Sequence, residues 1–185
     1  MSPIDHALPR PRSAWGLEPF RIAGAAGLFV VGCGISACTA VAPPGPATSL
    51  TRSVDVNGAP SEVWAMIGSF CAIGDWHPAI AKCTEDGKAP STRTLVTKDG
   101  KATFVELETA RSDVEHRYSY TFTSAPVPVT NYSSTLSVNP KGPGVSTVTW
   151  AGAYTSNPGN EKDAADALSG IYESGLAAIK ARLQK

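Results

Sequence analysis

From Leu50 onward, the spacing of apolar residues changes period several times. Leu50-Thr51-Arg52-Ser53-Val54-Asp55-Val56 alternates between apolar and polar side chains, the period of a strand with one covered face. Asn57-Gly58-Ala59-Pro60 breaks it. Val63, Met66, Ile67 and Phe70 then recur at helical steps. Pro60 and Ser61, followed by the acidic Glu62, suit a helix start, so a helix is predicted over Glu62–Phe70. Gly74-Asp75-Trp76-His77-Pro78 predicts a second short turn or helix.

The period then returns to that of strands. Ala81–Thr84 is a weak run, and Thr92–Thr97 ends at Lys98-Asp99-Gly100, a hairpin signal. Ala102–Ala110, Arg117–Ser124, Val129–Val138 and Val145–Tyr154 follow. Arg117–Ser124 puts Tyr118, Tyr120 and Phe122 on one face. Strands in succession with short turns predict an antiparallel meander rather than βαβ units. Asn160–Leu183 is the clearest helix, with Ala164, Leu168, Ile171, Tyr172, Gly175, Ile179 and Leu183 forming an apolar stripe that must lie on the sheet. No internal repeat is present.

The chain before Leu50 reads differently. Arg10, Arg12 and Arg21 precede an uncharged stretch from Ile22 to Thr51, of which Ile22–Ala42 is apolar but rich in glycine. A positive flank, a short apolar run and small residues at its end make a secretory signal. Ile35-Ser36-Ala37-Cys38 resembles the bacterial lipobox, whose cysteine takes lipid; Val30-Val31-Gly32-Cys33 fits almost as well. Ordinary cleavage, for instance after Ala40, and an uncleaved anchor are the alternatives. Pro43, Pro44 and Pro46 then favour an extended spacer. The expected organisation is a signal over residues 1–38, a Pro-rich linker over 39–49 and one folded domain over 50–185.

Composition narrows the chemistry. The 185 residues carry 16 Lys+Arg and 16 Asp+Glu, so the basic excess typical of a nucleic-acid partner is missing. The three histidines and four cysteines show no metal-ligand spacing, and the chain has no nucleophile elbow, phosphate loop or dinucleotide fingerprint. No metal or cofactor is expected. Cys71 and Cys83 are the only cysteines of the domain. An exported chain permits a disulfide between them; the alternative is two buried thiols packing as small apolar groups.

The order strand, short helices, meander, long helix is that of the α+β helix-grip fold. A curved antiparallel sheet there wraps a long C-terminal helix, with two short helices near the start. Val63–Cys83 (VWAMIGSFCAIGDWHPAIAKC), Thr92-Arg93-Thr94-Leu95, Val105-Glu106-Leu107 and Val129-Thr130-Asn131-Tyr132 sharpen the comparison. They resemble the START/Bet v 1-like (SRPBCC) superfamily, and more narrowly its bacterial polyketide cyclase/dehydrase-like proteins, over about residues 50–183. The plant abscisic-acid receptors show the same order of motifs. By that resemblance His77 and Arg93 fall where those receptors hold a cavity lysine and arginine, and Glu106, Tyr132 and Ser134 match polar cavity residues. Trp150 and Tyr172 fall at a cavity glutamate and a helix asparagine. The gate loop between Arg93 and Glu106 is shorter here, and Val127-Pro128-Val129 replaces the latch, so hormone gating is not carried over.

Strand parity places Tyr132 and Ser134 on a face with Thr130, Leu136 and Val138, and excludes Asn131. Trp150 shares a face with Val148, Gly152 and Tyr154, Arg93 with Leu95, and Glu106 with Phe104. The expected cavity has a volume of about 300 Å³ or more, with His77 at its rim and Leu168 and Tyr172 supplied by the helix. A buried Glu106 would need Arg93, His77, a tyrosine hydroxyl or water as partner. The leading expectation is a membrane-tethered, extracytoplasmic binding protein for a hydrophobic or amphipathic small molecule. The alternative is a cofactor-independent cyclase or dehydrase, with His77 or Glu106 as general base and Arg93 or Tyr132 steadying an enolate.

Overall fold

The computed structural model describes residues 45–184. The expected signal, Cys33, Cys38 and most of the expected linker lie outside the described residues. Seven antiparallel strands form one curved sheet: β1 (Thr48–Asn57), β2 (Ile80–Glu85), β3 (Thr92–Thr97), β4 (Thr103–Ser112), β5 (Arg117–Ser124), β6 (Val129–Gly142) and β7 (Val145–Ser156). Their order across the sheet is β1-β7-β6-β5-β4-β3-β2. Between β1 and β2 the chain makes α1 (Pro60–Ile67), a 3₁₀ turn (Phe70–Ala72) and α2 (Ile73–Trp76). The meander then runs back from the far edge until β7 pairs with β1. The long helix α3 (Glu161–Leu183) ends the fold and lies against β1 and β7. Arg52 of β1 fastens it, donating to Glu173 at 2.7 Å and to Ser169.

Three local differences from the sequence pattern have physical causes. β1 starts at Thr48, inside the expected linker, because Thr48 and Ser49 continue the ladder against Tyr154 and Ala153. α1 stops at Ile67 and does not reach Phe70. Gly68 lies under the Trp64 ring, where a Cβ would come within 2.4 Å of it, and Phe70 enters the core from the 3₁₀ turn instead. Thr130 is exposed rather than aligned with Tyr132. Asn131 takes φ +52°, and the β6–β7 register shifts between Thr130 and Ser133. That bulge resets the alternation, leaving Tyr132, Ser134, Leu136 and Val138 buried.

The core sits between α3 and the concave face. Ala164, Leu168, Tyr172, Gly175, Leu176 and Ile179 are the buried stripe of α3, whereas Ile171 and Leu183 are half-buried at its margins. Gly175 allows the close approach: a Cβ there would lie 2.8 Å from both His77 and Trp150. At the opposite edge a disulfide joins Cys71 of the 3₁₀ turn to Cys83 of β2, with Cα atoms 5.5 Å apart. Among the described residues no helix is long and apolar enough to cross a membrane.

Candidate functional site

A cavity of about 120 Å³ lies between α3 and the sheet. Phe104 of β4, Tyr120 and Phe122 of β5, Tyr132 of β6 and Trp150 of β7 form its aromatic wall. Ile73, Ile80 and Leu95 close one side, and Leu168 and Ile171 of α3 close the other. Thr97 and Ala102, at the base of the β3–β4 hairpin, border it beside Ala79 and His77. Its volume is well below the expected 300 Å³, because ring stacking fills the interior. Trp150 lies flat on Tyr172 at 4.5 Å and Phe122 on Tyr132 at 3.7 Å.

His77, Glu106, Tyr132, Trp150 and Leu168 are brought to this wall; Arg93, Ser134 and Tyr172 are not. All three of the latter point inward, but each is engaged by protein groups away from the cavity, with Arg93 Nη2 alone left without a partner. Arg93 is fully buried and donates from Nε to Glu106 Oε2 at 2.5 Å. Its Nη1 donates to the Phe70 carbonyl and, at 3.5 Å, to the Tyr118 hydroxyl. Its guanidinium lies over the Phe70 ring, 4.1 Å from the centroid, with Tyr120 at 5.0 Å. Burial works against the Arg93 charge, but Glu106 and the flanking tyrosines outweigh it and raise its pKa. Burial also lifts the Glu106 carboxyl above its usual range, with Arg93 pulling it back. We take the pair as ionised, since the arginine is charged throughout the working range and touches the carboxylate directly.

Ser134 and Tyr172 belong to a single relay of hydroxyls. Trp150 Nε1 donates to Tyr120 Oη at 3.0 Å, and Tyr120 lies 3.4 Å from Tyr132 Oη. Tyr132 and Tyr172 are 2.8 Å apart, Tyr172 and Ser134 2.8 Å, and Ser134 donates to the Ala151 carbonyl at 3.1 Å. An indole N–H only donates and a carbonyl only accepts. The two ends therefore fix the direction: Tyr120 donates to Tyr132, Tyr132 to Tyr172, and Tyr172 to Ser134. Every proton in the relay is used. Gly152 makes room for it, since a Cβ there would meet Tyr172 Oη at 2.4 Å. Burial drives the pKa values of Tyr120 and Tyr132 well up, so both stay neutral donors.

His77 is committed at both nitrogens. The Ala79 N–H donates to Nδ1 at 3.2 Å, which makes Nε2 the protonated nitrogen, donating to the Ile171 carbonyl at 3.0 Å. The ring thus clips the α2–β2 connection to α3. Burial holds its pKa below the usual 6.5.

Comparison with known proteins places this architecture. Residues 47–184 match the family described as polyketide cyclase / dehydrase and lipid transport. The chain belongs to that family. No curated protein matches it. Among solved structures it is similar to the protein XoxI from Bacillus cereus, at 32% identity and a TM-score of 0.70, covering 75% of this chain and 96% of that one. The di-domain aromatase/cyclase BexL shares the fold at 16% identity and a TM-score of 0.65, over 74% of this chain and 46% of BexL. Norcoclaurine synthase from Thalictrum flavum, solved with dopamine and hydroxybenzaldehyde, shares it at 14% identity and a TM-score of 0.63, over 86% and 97% of the two chains.

For a member of the polyketide cyclase / dehydrase and lipid transport family, the chemistry on this wall is sparse. To act as a base, His77 would first have to release the Ala79 N–H, and Tyr132 would have to break the relay to polarise a carbonyl. Among the described residues no cluster of three or more His, Cys, Asp or Glu side chains could hold a metal ion. The residues that sequence reasoning left out of the pocket are mostly its apolar wall. Phe104 shares the parity of Glu106, and Phe122 pairs directly across from Glu106, so both were within reach of a register argument.

Proposed function

We propose that this protein holds a small apolar molecule rather than transforming it, and does so outside the cytoplasm at a membrane surface. One observation carries the reading: the cavity is lined by aromatic and aliphatic side chains while its histidine and tyrosines are already engaged by protein partners. Such a wall binds by excluding water and offers little acid–base chemistry. A volume of about 120 Å³ is close to that of an engineered apolar cavity of ~150 Å³ that takes up benzene. The natural occupant is therefore a single ring, or a chain segment of that bulk. The Cys71–Cys83 bridge supports an oxidising compartment. The lipobox-like Ile35-Ser36-Ala37-Cys38 and the following prolines support a lipid anchor on Cys38 and a spacer that carries the domain away from the membrane.

The test combines fractionation and native mass spectrometry of the full-length chain from a lipoprotein-processing bacterium. The expected result is a membrane-associated protein that gains the mass of an added one-ring compound and returns that compound unchanged. Cys38→Ala should yield an unprocessed or soluble form. A chemically altered compound would replace the binding reading with catalysis, and a Cys38→Ala protein of unchanged mass and location would remove the anchor.

A further inference from the structure

Glu106 stands apart from the other polar groups on the cavity wall. Thr97 Oγ1 is tied to Asp99 and to the backbone of Ala102, His77 is held at both nitrogens, and the Tyr120 and Tyr132 hydroxyls sit inside the relay. Glu106 Oε2 accepts from Arg93, but no hydrogen bond from the described residues reaches the other carboxylate oxygen. The side chain is only 5% exposed and lines the cavity, and its unpartnered oxygen, unlike Arg93 Nη2 and Trp76 Nε1, is not sealed off from open space. Leaving a buried acceptor without a donor costs more than a typical hydrogen bond gains. Arg93 already balances the charge, so the acceptor is strong while the pair as a whole is neutral.

We infer that the cavity selects a neutral single-ring molecule bearing one hydroxyl or N–H, a phenol-like compound whose donor meets the second oxygen of Glu106. This rests on the binding reading above. Phe104, Phe122 and Trp150 surround the ring, and Glu106 orients it. A bare hydrocarbon of the same size fills the same space yet leaves the carboxylate oxygen unanswered, and sites built around a buried polar group reject such analogues strongly.

Isothermal titration calorimetry of the full-length chain with phenol and with toluene tests the inference, the two being nearly equal in size. Phenol should bind about tenfold tighter or more. Glu106→Gln turns an amide N–H toward the cavity once its oxygen takes the Arg93 N–H, so the site should then favour an acceptor: anisole, which cannot donate, should gain at least tenfold relative to phenol over the wild type while near-UV circular dichroism stays native. Should the variant not fold, the two wild-type titrations decide alone. Equal affinity for toluene and phenol overturns the donor requirement and leaves the binding reading standing. Binding of neither overturns both.

Discussion

Removing one partner of the Arg93–Glu106 pair should destabilise the fold far more than removing both. Side-chain exposure is 0% for Arg93 and 5% for Glu106, so neither group can recover hydration when the other is lost. Arg93→Met strands the carboxylate and also frees the Phe70 carbonyl. Glu106→Leu strands a guanidinium held only by that carbonyl, Tyr118 and the surrounding rings. Each single change should cost about 3–5 kcal/mol. The double variant buries no charge, and its main cost is the Phe70 carbonyl left without a donor, about 1–3 kcal/mol. The two single costs should therefore exceed the double by at least about 3 kcal/mol. Urea unfolding of the four full-length proteins, followed by circular dichroism, measures this cycle. Costs that add to within about 0.5 kcal/mol would show that the two groups do not depend on each other, and the buried pair would be wrong.

His77 predicts a pH dependence. Its native pKa lies below the usual 6.5, so its contribution is complete above that value and is lost as pH falls from there through the lowered native value. His77→Gln keeps a donor for the Ile171 carbonyl and cannot titrate, so its melting temperature should fall less than that of the wild type over the same acid range. Tyr172→Phe removes the hydroxyl joining Tyr132 to Ser134 and should cost about 1–3 kcal/mol. Tyr154→Phe is its control, because no described residue hydrogen-bonds the Tyr154 hydroxyl, and chemical unfolding should barely separate it from the wild type. Replacing both Cys71 and Cys83 by serine opens a loop of sequence separation 12 and should lower unfolding free energy by about 3 kcal/mol, with the wild type matching that value under full reduction.

The meander was legible because its strands are bounded by strong turn chemistry. Thr92–Thr97 and Arg117–Ser124 begin and end where alternation and glycine or polar turns place them. The end of α1 was not, because it depends on the Trp64 ring folding back over Gly68, a contact that no periodicity records. Asn131 hid a bulge: asparagine tolerates a positive φ, and the extra residue shifts every side chain before it to the other face. At the site, strand parity put Arg93 on a face with Leu95 and Ser134 on one with Tyr132, and the helical stripe put Tyr172 with Leu168; all three are buried. Periodicity could not say whether an inward side chain meets empty space or another side chain. That depends on ring stacking and on the hydroxyl relay, both set by contacts between strands far apart in sequence.

The binding reading requires that the space beneath α3 take up a small ring. Methyl NMR of the full-length chain titrated with phenol tests it most directly. Saturable shifts are expected at the methyl groups of Ile73, Ile80, Leu95, Leu168 and Ile171, which line the cavity, with the exposed Val114 unmoved. Shifts that never saturate, or that appear at Val114 and not at the cavity methyls, would contradict it.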